Sequence, residues 1–309
     1  MTDKSSAAAV DGRGSPSTVA PQAIALLGGL TLFWGINFPM IKLAVSAIDP
    51  WTFRVICLGV GGFGLLAIAK AKGGSLRIPR GEVGPLVLCC LLNITCWHLC
   101  SAFALTLIEA GRAVIIAYTM PVWASVLSVV ILGERFSWRR GAGLALGIAG
   151  LAILLVPDAD AILANPWGPV LMLGAAVGWG SGTVALKAFR WTLPVVQLTG
   201  YQLLAGGVPV LIGMVLVGRP DTLAAAGTQH WIGLVYAATI PMIFCHYAWF
   251  KTVTLLPANI AAIGTLAIPV VGVLSSTIAL GEPVGPAEIG SLAMVVAALA
   301  LVLVRPQTR

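Results

Sequence analysis

Residues 110–134 read AGRAVIIAYTMPVWASVLSVVILGE, and this stretch decides the fold because the chain repeats it. Residues 258–282 read ANIAAIGTLAIPVVGVLSSTIALGE. At a constant shift of 148, the two stretches share nine of 25 residues without a gap. The shared residues include the central prolines, Pro121 and Pro269, and a closing Leu-Gly-Glu. The match indicates an internal repeat and predicts a chain of two related halves.

The composition places these halves in a membrane. Of 309 residues, 59% are hydrophobic and 9% are charged, whereas a soluble domain has about 25% charged residues. A bilayer needs about 20 apolar residues for each helical span, and an open sheet edge cannot face lipid. We therefore predict an all-α integral membrane protein with ten transmembrane helices, near residues 22–43, 50–69, 83–105, 110–132, 138–156, 167–189, 194–217, 231–251, 257–280 and 286–304.

The ten segments divide into two repeats of five. Residues 1–20 are polar and are predicted to form a disordered cytoplasmic tail without a cleavable signal peptide. The first repeat is expected at 21–157 and the second at 166–305. Because five is odd, the second half enters the membrane from the opposite side, so the repeats are inverted. Inverted repeats around a midplane site are a recurrent transporter design.

The distribution of basic residues predicts the orientation. With a cytoplasmic N-terminus, 14 of the 18 lysines and arginines lie on the cytoplasmic side, as the positive-inside rule requires. The other side holds Lys42, Arg54, Arg112 and Arg219. Arg54 lies just inside the second segment and is expected to snorkel to the outer interface. Both termini are then cytoplasmic, and the net charge of +7 is no sign of nucleic-acid binding.

Two tryptophans are candidates for a ligand cavity. Trp34 and Trp179 are each followed by glycine, are separated by 145 residues and lie about halfway along their segments, although tryptophan in membrane proteins prefers the interfaces. They are expected to wall a central cavity, and the alternative is packing with each N–H bonded to a neighbouring helix. Tyr118 and Trp123, in the repeated stretch, are similar candidates.

Two histidines, His98 and His246, are separated by 148, which is the shift of the repeat itself. Ionisable groups inside a membrane are costly and indicate function, and the alternative is a neutral imidazole that joins two helices. All 11 acidic residues fall in loops or at helix ends, which argues against a carboxylate proton relay. Either the histidines carry protons, or the protein is a facilitator or exchanger.

No pattern indicates a metal, a cofactor or an enzyme. The six cysteines lack paired zinc-ligand spacing, and the chain has neither a phosphate-binding glycine loop nor a Ser-His-carboxylate set at one depth. Gly174, Gly178 and Gly182 recur every four residues and allow close helix packing, within one protomer or between two. The expected partners are a small-molecule substrate and the lipid bilayer, with monomer and homodimer both left open.

These motifs carry a resemblance to a known family. The Trp-Gly pairs that open each half, the prolines of the fourth and ninth segments, and the Leu-Gly-Glu that follows each resemble the EamA type of the drug/metabolite transporter superfamily. The resemblance covers roughly residues 22–305. It implies ten helices, cytoplasmic termini and export of small metabolites, often amino acids, across the bacterial inner membrane.

The resemblance also implies a central cavity. By position, the residues in or near it are Trp34, Asn37, His98, Tyr118, Trp123, Trp179, Ser181 and His246. The residues predicted to have gating or structural roles are Pro121, Pro269, Glu134 and Glu282.

The functional hypothesis is therefore an inner-membrane exporter that works by alternating access. An aromatic cavity with two histidines and no fixed charge suits amino acids or related amphipathic compounds. A multidrug exporter is the alternative among transporters, and it would be expected to carry a mid-membrane acid for cations. A membrane scaffold or sensor is the alternative from another class, and it predicts that variants of the mid-membrane histidines and tryptophans keep their activity.

Overall fold

The computed structural model describes residues 21–134, 137–255 and 265–303. Within these ranges the chain is helical and forms no β-strand. The all-helical prediction is confirmed, and its reason is physical: a span in lipid must satisfy its own backbone hydrogen bonds. The predicted tail at 1–20 lies outside the described residues.

The apolar helices are numbered α1 to α10 in chain order. Their bounds are Pro21–Val45 (α1), Pro50–Ala71 (α2), Arg80–Leu107 (α3), Ala110–Leu132 (α4), Trp138–Leu155 (α5), Trp167–Ala188 (α6), Val195–Val217 (α7), 228–255 (α8), Ile268–Leu280 (α9) and Pro286–Leu303 (α10). Short helices at Ala159–Ala164 and Thr222–Ala225 lie in the connections.

In the described part of the chain, nine helices are long and apolar enough to cross a membrane. The remaining one, α9, has 13 described residues. The predicted segment 257–280 begins among residues outside the described ranges. The structure therefore confirms a multi-span helical membrane fold but not the predicted count of ten.

Three of the described helices change their winding or break along their length. In α3, the segment Leu91–Cys96 is π-helical, and in α8 the segment Ile240–Cys245 is π-helical at nearly the equivalent position of the repeat. Helix α4 consists of two pieces, Ala110–Ala117 and Met120–Leu132. Pro121 lies in the first turn of the second piece, where its missing N–H is tolerated.

Helix packing follows the repeat. Helix α1 packs on α9 as α6 packs on α4, and α1 packs on α8 as α6 packs on α3. Helix α2 packs on α7, and α5 packs on α10, so each of these pairs is its own counterpart. Shifting every helix by five therefore maps the packing onto itself, which is the pattern of a two-fold relation between the halves.

The inversion of the repeats is visible at the two membrane faces. Face 1 is where α1 begins, and face 2 is where α1 ends. At face 1, the N–H of Thr192 donates to Glu82 over 2.8 Å. At face 2, Lys42 Nζ donates to the carbonyl of Ile108 over 2.8 Å, and Ile108 packs against Gly168 at the start of α6. Helix α1 thus begins at face 1 and α6 begins at face 2.

Arg54 departs from its prediction. Its side chain does not snorkel to an interface, because it is only 1% exposed. Its Nε donates to the carbonyl of His98 over 2.8 Å, and its Nη2 donates to Ser101 Oγ over 2.9 Å. Two acceptors on α3 thus hold the arginine inside the helix bundle.

Candidate functional site

Trp34 of α1 and His246 of α8 lie in direct contact. Their ring centroids are 5.8 Å apart and their planes meet at 89°, an edge-to-face arrangement that aromatic rings favour. Trp249, three residues after His246, lies 6.2 Å from Trp34. His246 is buried, whereas Trp34 is partly exposed. These three residues form the first aromatic cluster, which joins the two repeats.

A second aromatic cluster lies at the equivalent interface of the other half. Trp179 of α6 lies 5.1 Å from Trp97 of α3, with the ring planes at 58°. Trp97 directly precedes His98, so this cluster adjoins the second predicted histidine. The α6–α3 interface is the counterpart of the α1–α8 interface. Both predicted tryptophans therefore contact an aromatic ring of the other repeat.

His98 carries a buried nitrogen without a partner. The residue is 2% exposed, and none of the described residues forms a hydrogen bond with its Nδ1. Arg54 and His246 are close enough to influence its charge electrostatically. A buried polar atom left unpaired costs about 1–3 kcal/mol, so such an atom marks a place where water or a ligand completes the bonding.

His246 is oriented by the backbone of its own helix. Its Nδ1 lies 2.8 Å from the carbonyl oxygen of Pro241, which belongs to the π-helical part of α8. A carbonyl can only accept a hydrogen bond, so Nδ1 carries the proton of the neutral ring and Nε2 is left as an acceptor. The carbonyl of Pro241 thus fixes the orientation and the tautomer of the ring.

Tyr118 and Asn37 lie on the α1 and α4 side of the site. Tyr118 is buried at the break in α4, and its ring lies 6.4 Å from that of Phe38 on α1. Asn37 precedes Phe38, and its Oδ1 is a second buried acceptor without a partner. Of the predicted site residues, His98 and Asn37 therefore combine burial with an unfilled hydrogen bond.

Trp123 and Ser181 have locally satisfied polar atoms. Trp123 Nε1 donates to Thr119 Oγ1 over 3.1 Å, and Ser181 Oγ donates to the carbonyl of Val177 over 2.7 Å. Each bond spans four residues of the residue's own stretch of chain. Trp123 also packs against Gly180, so it belongs to the α4–α6 contact. The donor atoms of both side chains are therefore already paired.

Two ion pairs at equivalent positions of the repeats link the halves at opposite faces. At face 2, Lys42 Nζ lies 3.1 Å from Glu282 Oε1. At face 1, Lys187 pairs with Glu134, which Arg140 also contacts. Lysines 42 and 187 are separated by the tryptophan shift of 145, and the two glutamates by 148. The gating prediction named both glutamates but not their lysine partners.

The two ion pairs differ in exposure. At face 2, the lysine and glutamate side chains are 29% and 9% exposed, whereas at face 1 they are 62% and 25% exposed. Glu282 also accepts from the backbone N–H groups of Ala110 and Gly111, each over 2.8 Å. It therefore caps the start of α4. The ion pair at face 2 is thus the more buried of the two.

Sequence reasoning missed several polar residues of the interior. Asn93, in the π-helical part of α3, has a buried Oδ1 without a partner, and Ser101 holds Arg54. Neither residue is repeated in the second half at the shifts of 145 or 148. Such a repetition was the signal that identified the two histidines. For the described residues, no group of three or more His, Cys, Asp or Glu side chains is arranged to hold a metal ion.

Pro121 and Pro269 occupy equivalent places. Each stands in the first turn of its helix, in Met120–Leu132 and in Ile268–Leu280 respectively. Each of these helices ends in a glycine with a left-handed backbone, at φ 66° for Gly133 and φ 68° for Gly281. The repeated stretch thus has the same local structure twice over its described parts.

Comparison with known proteins identifies relatives of the whole chain. The model of the EamA-like transporter family matches residues 22–156 and 166–304. The uncharacterized transporter YvbV of Bacillus subtilis is 29% identical over 90% of both chains. The uncharacterized inner membrane transporter YedA of Escherichia coli K12 is 25% identical over 89% of both chains.

One further relative has a named substrate. The probable terminal-alkyne amino-acid exporter of Streptantibioticus cattleyicolor is 25% identical to this chain, over 87% of this chain and 89% of that protein. Among solved structures, one crystal structure superposes with a TM-score of 0.63 at 22% identity, covering 90% of this chain and 95% of the other. That similarity supports the fold.

Proposed function

The chain belongs to the EamA-like transporter family, and from this premise we propose that it exports small amphipathic metabolites, with amino acids as the first class to test. The proposed route is alternating access through a central site. The residues that would line it are Trp34, Asn37, His98, Tyr118, Trp123, Trp179, Ser181 and His246.

One observation carries the proposal. His98 Nδ1 and Asn37 Oδ1 are buried and unpaired, on two helices that belong to the packed centre of the described chain. Aromatic rings lie beside them, including Trp34 against His246. Apolar walls with a few convergent polar atoms are the usual composition of a small-molecule site. An amphipathic substrate would supply both the missing hydrogen bonds and an apolar group.

Amino acids are favoured for two reasons. One relative at 25% identity is named a probable amino-acid exporter, although that name concerns terminal-alkyne amino acids. In addition, the two aromatic clusters, around Trp34 and around Trp179, bring aromatic rings to both halves of the proposed site, which suits a bulky side chain. Transport, rather than chemical conversion, is the activity that we propose.

The proposed location is a bacterial inner membrane, with both termini in the cytoplasm. The nine membrane-spanning helices of the described chain and the relative named as an inner membrane transporter support a multi-pass inner-membrane protein. The orientation rests on the 14 to 4 distribution of basic residues. On this assignment face 1 is cytoplasmic and face 2 is external.

The mode of coupling follows from the titratable groups. The carboxylates of the described chain lie in the connections or at helix ends, whereas His98 and His246 lie within electrostatic range of each other. Proton coupling would therefore act through the histidine pair. A facilitator or exchanger needs no such group, so dependence on a pH gradient separates the two modes.

The direct test is transport by the purified protein in lipid vesicles. Labelled amino acids are screened for counterflow, with and without a pH gradient. The double variant His98→Ala with His246→Ala is compared with His230→Ala, a histidine whose ring bonds the N–H of Gly227 at a helix end. We expect the wild type to catalyse counterflow of one amino-acid class. The double variant should lose this counterflow, and the His230→Ala control should retain it.

Three outcomes would contradict the proposal. If the double variant is stable and transports at the wild-type rate, the central site is wrong. If the wild type moves no amino acid but moves organic cations, the multidrug alternative replaces the amino-acid assignment. If it moves nothing in either panel, a scaffold or sensor becomes the better description.

A further inference from the structure

Arg54 is a buried cation without a carboxylate. Its side chain is among the largest fully buried ones of the described chain. Its hydrogen bonds go to two neutral acceptors, the carbonyl of His98 and Ser101 Oγ, and its guanidinium carbon lies 5.0 Å from the ring centroid of Phe53. In the described ranges no acidic side chain pairs with it, whereas Lys42 has Glu282.

A buried guanidinium without a carboxylate is unfavourable unless an anion pairs with it. Burying a charge costs free energy that a partner of opposite charge normally offsets. A guanidinium has five N–H donors in a planar fork, and the bonds to His98 and Ser101 use two of its nitrogens. Arg54 therefore retains both a positive charge and donor capacity inside the bundle.

The position of Arg54 connects it to the candidate site. It is bonded to the backbone of His98, the residue whose Nδ1 is buried without a partner. Arg54 and His246 both lie within electrostatic range of His98, and His246 contacts Trp34. The cation thus bonds the backbone of the residue that carries the unfilled nitrogen, and the neighbours of that residue include His246 of the first aromatic cluster.

We propose that Arg54 is the carboxylate anchor of the substrate site, which makes carboxylate-bearing compounds the transported class. This inference rests on the proposed function and deepens it. The guanidinium fork matches the geometry of a carboxylate, and the neighbouring His98 ring adds a polar contact. The apolar part of the substrate lies against Trp34 and its partners. The expectation of a site without fixed charge is thereby replaced by a site with one positive charge.

The inference also predicts what the site rejects. A carboxylate approaching Arg54 gains a charge-assisted hydrogen bond, which a neutral amide of the same shape cannot form. An organic cation meets a like charge in a desolvated place, which raises its free energy. We therefore expect acids to bind in preference to amides, and amides in preference to amines.

The test uses a matched series in lipid vesicles. Phenylalanine, its primary amide, phenethylamine and 3-phenylpropionate compete for the counterflow of a labelled amino acid that the wild type transports. For the wild type we expect the two acids to compete about ten- to a hundred-fold more strongly than the amide. Equal competition by acid and amide would overturn the inference without any variant.

The variants then assign the preference to Arg54. Arg54→Gln is expected to lose the acid-over-amide preference, and Arg54→Lys, which retains the charge, to keep part of it. Arg219→Gln is the control, because Arg219 is an exposed arginine paired with Asp221. A folded Arg54→Gln protein with the wild-type preference would overturn the inference. If neither Arg54 variant folds, the wild-type series decides alone.

Failure of the proposed function is distinguishable from failure of this inference. If the wild type transports no amino acid at all, the proposed function fails and the carboxylate anchor falls with it. If the wild type transports amino acids but treats acids and amides alike, the proposed function stands and the assignment of Arg54 is wrong.

Discussion

Trp34 links the two halves of the molecule at the scale of a single residue, because both of its ring partners belong to the second repeat. It lies edge-on to His246 and 6.2 Å from Trp249. Each ring contact of this kind contributes about 0.5–1.5 kcal/mol beyond area burial. Loss of both would remove the aromatic support of the His246 ring, which the carbonyl of Pro241 would still orient.

We therefore expect Trp34→Ala to lower the transport rate by about five- to a hundred-fold, measured as counterflow per unit of folded protein in vesicles. Trp138→Ala is the matched control, because Trp138 is exposed at the start of α5 and should keep the wild-type rate. Equal rates for Trp34→Ala and the wild type would mean that the first aromatic cluster only packs the helices.

The residue scale also shows where sequence reasoning ended. The pair His98 and His246 was found because both halves carry it at the repeat shift. Arg54 was placed at an interface because its position near the end of a segment is compatible with snorkelling as well as with burial. Whether Arg54 snorkels or is buried depends on the acceptors that another helix presents. Here these acceptors are the carbonyl of His98 and Ser101 Oγ. That information is tertiary and has no local sequence signal.

At the scale of elements, the row of glycines on α6, Gly174, Gly178 and Gly182, is tightly packed at its later end and open at its start. A methyl group on Gly182 would lie 2.0 Å from Asn93 Oδ1 and 2.9 Å from the backbone nitrogen of Asn93. On Gly178 it would lie 2.6 Å from Cys96 Sγ. On Gly174 it would meet nothing within 4 Å. The close approach of α6 to α3 thus depends on the later glycines of the row.

Gly182→Ala should therefore destabilise the protein by about 1–3 kcal/mol, the usual cost of overpacking, whereas Gly174→Ala should be nearly neutral. Thermal unfolding in detergent, followed by circular dichroism, measures both variants. The explanation fails if the two alanines lower the melting temperature equally, since both would then act through helix propensity or lipid contact.

The start of α4 provides a second prediction for this scale. Glu282 accepts from the N–H groups of Ala110 and Gly111 and also pairs with Lys42. Removing a helix cap costs about 0.5–2 kcal/mol, so Glu282→Ala should lower the melting temperature more than Lys42→Met, which leaves the cap in place. A larger loss for Lys42→Met would make the ion pair, not the cap, the main contribution.

Helix boundaries were largely predictable, but internal winding was not. The second segment, expected at 50–69, is observed as Pro50–Ala71, because Asp49 caps its start by accepting from the N–H of Thr52. The π-helical segments Leu91–Cys96 and Ile240–Cys245 were not anticipated. An apolar run has the same composition in α- and π-helical winding, so hydrophobicity does not distinguish them.

At the scale of the whole molecule, the ion pair of Lys187 and Glu134 links the two halves at face 1. Lys187 and Arg140, both bonded to Glu134, lower the pKa of that carboxyl to about 2, from an ordinary value of 4.5. A carboxyl with a lowered pKa stabilises the folded state above its unfolded value, and this contribution is lost as the pH falls towards the folded pKa. The pair at face 1 should therefore stay intact throughout the physiological range.

We accordingly expect the Glu134 contribution to the melting temperature to be constant from about pH 8 to pH 5 and to decrease below pH 4.5. The measurement is the difference in melting temperature between the wild type and Glu134→Gln at each pH. A difference that already declines near pH 6 would show that a different group, such as a histidine, controls the stability of this face.

The crossing of the ion pairs has a consequence for the origin of the chain. Lys42 and Glu134 belong to the first half, yet each pairs with a residue of the second half, Glu282 and Lys187 respectively. A single ancestral half would have carried both members of the pair at opposite ends, unable to bring them together by itself. Two copies inserted in opposite directions would have satisfied all four charges at once. The present fold has, in one polypeptide, the arrangement of contacts that an antiparallel pair of identical subunits would form.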